Sequence, residues 1–200
     1  MKPFLIILSA PSGTGKSTVC RQLMEKRKDV FQSISSTTRA PRAGEKSGKD
    51  YYFLSVDEFK AKIQAQEFLE WATVHDHYYG TSRRMIDDFL GKGLCPLLAI
   101  DVQGAASIKK KMPDSVLIFL APPTMESLKV RLEKRNEAKE DMLKRLADSR
   151  DEILAAGNYD YIVVNDDLDK AVSQIDLIIS AEKLKVSRQD DLSKILPAYT

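Results

Sequence analysis

Short, unbroken apolar runs recur along the chain at residues 4–8, 94–100, 116–121 and 161–164. Each is the length of a strand, and none alternates with polar residues. Such runs belong to strands buried on both faces. Amphipathic stretches with helical spacing separate them: residues 18–27, about 104–112, a segment capped by Thr124 that runs to about 135, and about 168–185. Buried strands alternating with helices predict an α/β fold, a parallel sheet covered on both sides by helices in three layers.

Residues 33–81 break this rhythm. Their strand-like segments, at 32–36, 51–54, 68–74 and 77–81, are half polar, which suits a small, partly exposed antiparallel sheet. Ser55 and Glu58 form a capping box that opens a short helix within it. This stretch reads as an α+β subdomain inserted for an acceptor molecule. Core residues 1–32 and 82–190 then surround residues 33–81 within a single domain. Residues 135–144 carry charges of both signs with little apolar content, the pattern of a solvated helix pair or of a helical lid, spanning about 126–146.

Composition narrows the class. The 200 residues carry 43% apolar and 30% charged side chains with a net charge of +2, ordinary for a globular domain and too balanced for a nucleic-acid clamp. The longest apolar runs are too short to cross a membrane. Cys20 and Cys95 lack metal-ligand spacing and read as reduced core thiols of a cytoplasmic protein. His75 and His77 share a strand face without an evident third ligand.

The richest chemistry lies in Ala10-Pro11-Ser12-Gly13-Thr14-Gly15-Lys16-Ser17-Thr18, between the first strand and the first helix. Glycines there let successive N–H groups line one concavity at a helix N-terminus, a phosphate cradle. Lys16 would reach the β- and γ-phosphates, and the Ser17 hydroxyl would ligate Mg²⁺. Ala10 replaces the usual leading glycine and requires a negative φ. Asp101 ends an apolar strand, as the acid near such a metal does. Arg39 and Arg42 flank Pro41 on a non-helical loop suited to gripping a phosphate. Tyr51 and Tyr79 add phenol donors. Alternation sets Glu70 opposite Leu69 and Trp71, facing either solvent, the default for a lone Glu, or a cleft; in a cleft, as an acceptor-only carboxylate, it would pair with the adjacent N1–H and N2–H of guanine and reject adenine.

Residues 35–45 together with Gly48-Lys49-Asp50-Tyr51, and the segments at 9–18, 67–81, 100–104, 119–135 and 160–168, resemble the guanylate kinase family over nearly the whole chain. The resemblance implies transfer of the γ-phosphoryl of Mg²⁺–ATP to GMP, and to dGMP. It implies a GMP phosphate held by Arg39, Arg42, Tyr51 and Tyr79. Guanine would be read by Ser35, Glu70 and Thr81, with Asp101 near the nucleotide or its Mg²⁺. Asn165, in a segment near the adenine, joins residues 10–18 on the ATP side. Lys16, Arg39, Arg131, Arg135 and Arg145 would carry catalysis, the last three as arginine fingers. Two departures stand out. Ala99 occupies a position where many relatives carry an acid, and the lid lacks a glycine after Arg135 and is one residue shorter. The expected partners are small nucleotides, with neither nucleic acid nor membrane; a homo-oligomer is compatible with this reading. A P-loop kinase for another small acceptor, a non-catalytic guanylate-kinase-like scaffold module and a regulatory GTPase are the rivals. The Arg39–Arg42 loop with Glu70, the intact Gly15-Lys16-Ser17, and the missing Asn-Lys-x-Asp signature count against them in turn.

Overall fold

The computed structural model describes residues 1–42, 44–74, 76–133 and 139–189. His75 and Arg135, both weighed above, lie outside the described residues. The main sheet has five parallel strands: β1 (Ile6–Ser9), β2 (Val30–Gln32), β7 (Cys95–Ala99), β8 (Val116–Ala121) and β9 (Tyr161–Val164), in the order β2-β7-β1-β8-β9. Strand β1 is central, so all four of its side chains are buried.

Alternate side chains of this strand face different helices. Ile6 and Leu8 pack with Val19, Cys20 and Leu23 of α1 (Lys16–Lys26) and with Val172, Ile175 and Ile179 of α7 (Leu168–Leu184). Leu5 and Ile7 pack instead with Ile86 of α3 (Arg83–Gly91) and with Ala105 and Ile108 of α4 (Val102–Lys111). Burying each of these aliphatic side chains contributes about 1.5–3 kcal/mol, which fixes the three layers. Both cysteines are buried and reduced. Among the described residues no helix is long and apolar enough to cross a membrane.

The second sheet comprises β3 (Ser36–Thr37), β4 (Tyr52–Phe53), β5 (Phe68–Val74) and β6 (His77–Ser82), in the order β4-β3-β6-β5. It is mixed rather than antiparallel. Pairs β3–β6 and β5–β6 are antiparallel, but β4 lies parallel to β3 because the long loop after Thr37 returns the chain to the starting end. The expected strand at 32–36 divides in two: Gln32 pairs with Leu97 in the main sheet, and Ser36 pairs with Gly80 in the small one. Helix α2 (Val56–Gln64) opens with the capping box, the Ser55 hydroxyl accepting from the Glu58 amide at 3.2 Å and Glu58 accepting from the Ser55 amide at 2.7 Å.

One local reading changes. A register shift between Phe68 and Glu70 breaks the alternation of β5, so Leu69 joins the core and Trp71 is exposed although two residues apart. Two of the lysines ending α4 are held by hydrogen bonds. Lys109 donates to the Ser115 carbonyl at 2.7 Å and pairs with Asp160, and Lys111 donates to the Leu69 carbonyl at 2.6 Å. This last bond ties the main domain to β5.

Gly80 sits against the stacked rings of Phe59 and Phe68, where a Cβ would come within 2.9 Å and 3.0 Å of ring atoms. Both rings are held by packing, so the overlap forces a shift. Gly80→Ala is expected to destabilise the protein by about 1–3 kcal/mol, read as a lower urea midpoint with an unchanged m value.

Candidate active site

Strand β1 ends in the loop that enters α1. Gly13 and Gly15 take left-handed conformations, with φ of 91° and 100°. Gly15 is the N-cap of α1 and brings no capping side chain, and the first turn carries no acid. The N–H groups there have no intrahelical acceptors, which leaves them for an anion. Ala10 is buried and is not among the positive-φ residues, as its place at the start of the loop requires.

The loop is braced from behind. Asn165 donates from Nδ2 to the Thr14 carbonyl at 2.6 Å, and a Cβ on Gly15 would meet that same nitrogen at 2.7 Å. Arg131, on α5 (Met125–Glu133), donates to the carbonyls of Thr14 at 3.2 Å and Asn165 at 3.0 Å. Neither Arg131 nor Asn165 lines the cleft; both hold the loop that does. Arg145, on α6 (Lys139–Leu154), donates to the Ser12 hydroxyl at 2.8 Å. Lys16 reaches across to the end of β7 and donates to the Ile100 carbonyl at 2.9 Å. Burial lowers its pKa, and the nearby Asp101 and Glu152 carboxylates oppose that fall.

Ser17 and Thr18 are exposed on the first turn of α1. Asp101 caps α4, its Oδ1 accepting from the amides of Gln103 at 2.8 Å and Gly104 at 3.1 Å. A hydroxyl and a carboxylate facing a phosphate cradle are hard oxygen donors of the kind Mg²⁺ takes.

A cleft of about 460 Å³ joins the loop to the small sheet. Pro11, Ser12, Gly13, Gly15, Lys16, Ser17 and Thr18 form one wall; Ser35, Arg39, Arg42, Tyr51, Glu70 and Tyr79 form the other. Ala99, Ile100 and Asp101 lie between them, and Arg145 and Glu152 enter from α6. Arg39 lies over the Tyr51 ring at 5.5 Å, and the rings of Tyr51 and Tyr79 meet edge to face at 5.9 Å. Burial pushes the Tyr51 phenol up, keeping it a neutral donor.

Glu70 is 3% exposed, and its Oε1 accepts from the Thr81 hydroxyl at 2.6 Å. Its other oxygen, Oε2, lies where a Cβ on Gly104 would come within 2.8 Å, so only glycine there lets α4 approach it. Burial pushes the carboxyl up to about 7; the Thr81 hydrogen bond opposes the shift, and the Asp101 charge adds to it.

Several members of the site escaped the sequence reading. Glu152 lines the cleft, and burial raises it to about 7 while Lys16 pulls the other way. Burial raises Tyr159 to about 12, close to Ser9 and Asp101. Both lie on or just after helices remote in sequence, so no local motif marks them. Helix α3 did carry a signal: Ser82 caps it, and Met85, Ile86, Phe89 and Leu90 repeat at helical spacing.

The family profile described as guanylate kinase matches residues 2–182. The chain is 49% identical to the guanylate kinase of Caldanaerobacter subterraneus subsp. tengcongensis over 189 residues, covering 94% of this chain and 92% of that protein. It is 41% identical to the guanylate kinase of Thermotoga maritima, covering 96% and 93%. The crystal structure of guanylate kinase from Anaplasma phagocytophilum superposes with a TM-score of 0.82 at 37% identity, covering 97% of this chain and 93% of that one.

Glu70 supplies a pH test that needs no ligand. Its ordinary value is 4.5 and its folded value about 7, so the folded state binds the extra proton between them. Its contribution to stability is full below pH 4.5 and is lost as pH rises through 7. Glu70→Gln removes this dependence. Urea unfolding from pH 5 to pH 8 should show the variant gaining on the wild type by up to about 3 kcal/mol. A constant difference across that range would mean that the carboxyl is already ionised at pH 5.

Proposed function

Because this chain belongs to the guanylate kinase family and phosphorylates GMP from ATP, we propose that its cleft works as two facing anion pockets. The loop at residues 10–18 and the start of α1 take the triphosphate of ATP, with Lys16 leaving the Ile100 carbonyl for the β- and γ-phosphates. Arg39, Arg42, Tyr51 and Tyr79 take the phosphate of GMP. Ser35, Glu70 and Thr81 read guanine beside α4. The observation that carries this assignment is Glu70: a buried carboxylate, fixed at one oxygen by Thr81, on the cleft wall opposite the phosphate loop.

Guanine presents two adjacent N–H donors to such a carboxylate. Adenine presents a bare ring nitrogen, which would leave Glu70 buried and unpaired. The contacts assigned to the acceptor reach its base and its phosphate, so dGMP is an acceptor too. Ser17 and Asp101 are the residues that would hold Mg²⁺, which when bound neutralises charge between the β- and γ-phosphate oxygens.

This chain's own part in the transfer is alignment and charge. Arg39 and Arg42 set the anionic oxygen of GMP in line with the γ-phosphoryl; that oxygen is already a nucleophile, so no general base is needed. Of the two described lid arginines only Arg145, at the Ser12 hydroxyl, lines the cleft, and it is the one assigned to the transferring group. Arg131 acts by holding the loop, and Arg135 completes the expected set. An arginine over the transferring phosphoryl is worth roughly 10³–10⁵ in rate in related chemistry. Residues 33–81 and the lid at about 126–146 close on the core to keep water from the γ-phosphate.

A coupled assay with ATP and GMP, AMP, UMP or CMP checks these roles. GMP is expected to be phosphorylated far faster than the others. Glu70→Gln should lower kcat/KM for GMP about 10²-fold and narrow its lead over AMP. Arg39→Ala should raise KM for GMP and leave KM for ATP nearly unchanged. A wild type that phosphorylates AMP as fast as GMP would remove the role given to Glu70.

A further inference from the structure

Glu45 sits in the turn that follows Arg42, next to Gly44 at φ 87°. Its amide donates to the Arg42 carbonyl at 3.0 Å, and its Oε2 accepts the Arg42 amide at 2.7 Å. The same carboxylate takes Nη2 of Arg39, at 2.9 Å to Oε1 and 3.0 Å to Oε2. Arg39 also donates from Nη1 to the Ala40 carbonyl at 2.7 Å. Side-chain exposures are 13% for Arg39 and 19% for Glu45, so water screens this pair far less than a surface ion pair. Burial would raise the Glu45 carboxyl, but the Arg39 hydrogen bond and the Arg42 amide outweigh it and hold it below its ordinary value.

One carboxylate therefore ties the side chain of one cleft-lining arginine to the backbone of the next. A guanidinium has five N–H donors in a rigid fork, and these bonds use only some of them. Arg39 also lies within hydrogen-bonding reach of Tyr79, and its side chain lines the cleft. Without Glu45 the Arg39 side chain would have to be ordered when the phosphate binds, at a cost in rotamer entropy.

We propose that Glu45 is a positioning residue for the acceptor phosphate: it locks Arg39 and the Arg42 turn into one preorganised clamp and itself makes no contact with substrate. This rests on the reading of Arg39 and Arg42 as the residues that hold the GMP phosphate. The opposite role is also physically defined. A carboxylate on Arg39 resembles a phosphate, and were it to occupy the acceptor's place it would compete with GMP.

Steady-state kinetics on the full chain separates these roles. Glu45→Gln keeps the shape and removes the charge. It should raise KM for GMP about tenfold, with kcat and KM for ATP within about twofold and the thermal midpoint nearly unchanged. Glu45→Asp, which keeps the charge on a shorter stem, should recover part of the loss. In an Arg39→Ala background the Glu45→Gln effect should shrink markedly, since only its hold on the Arg42 turn remains. An unchanged KM for GMP in Glu45→Gln, alongside a raised one in Arg39→Ala, overturns the positioning role and leaves the phosphate clamp standing. A lowered KM for GMP overturns it in favour of competition. If Arg39→Ala itself leaves KM for GMP unchanged, the clamp reading falls, and this inference with it.

Discussion

Everything in this fold is arranged around the free N–H groups at the start of α1. A helix leaves its first N–H groups without acceptors, and a parallel sheet delivers that end to the carboxyl edge of its strands. Here the strand that delivers it is the central one. Its neighbours β7 and β8 bring Ile100 and Asp101 to one side of the loop and the path toward Arg131 to the other. The concavity can keep its shape while empty because the Thr14 carbonyl is held by both Asn165 and Arg131. Gly15 has no side chain because Asn165 already fills the space.

Facing this positive concavity is a wall that mixes two arginines with buried or half-buried acids. Each charged group has a defined local counterpart or a raised or lowered pKa that marks the cost of burial. Glu70 is fixed by Thr81 and pushed toward neutrality, so a ligand bearing two N–H donors replaces water it has already lost. Lys16 is lowered by its burial but stays close to Asp101 and Glu152. Glu45 and Arg39 neutralise one another while leaving donors over. The cleft is thus built ahead of its ligands, with much of the cost of ordering met during folding.

The small sheet meets the core along β5. Leu69 is buried in the core cluster with Ile86 and Ala105, Lys111 bonds the Leu69 carbonyl, and Gly104 lies against Glu70. These join β5 to α4 beside Glu70. The Arg39–Glu45 loop lies away from this seam, at the far edge of the small sheet, where β4 and β3 carry no comparable bond to the core among those described.

Much of this was legible in the residues themselves. The buried strand at 116–121, the Ser55–Glu58 cap, the phosphate loop and the Arg39–Arg42 segment are set by neighbours within a few positions, where propensity, periodicity and glycine conformations act; the strand at 161–164 forms as expected but is not buried on both faces, because it is the sheet edge and leaves Ile162 and Val164 exposed. Other features depend on partners distant along the chain. Gln32 joins the main sheet because Leu97 is beside it; Trp71 is exposed because a register shift breaks β5; Arg131 reaches the Thr14 carbonyl because α5 packs behind the loop. Glu152 lines the cleft, and Gly104 meets Glu70, only when α6 and α4 are laid on the sheet. Local sequence determined which segments become strands, helices and anion-binding turns, since those choices cost or gain energy within one turn or one strand. Tertiary structure alone decided which side chains share a buried space, and so which charges are paired and which pKa values move.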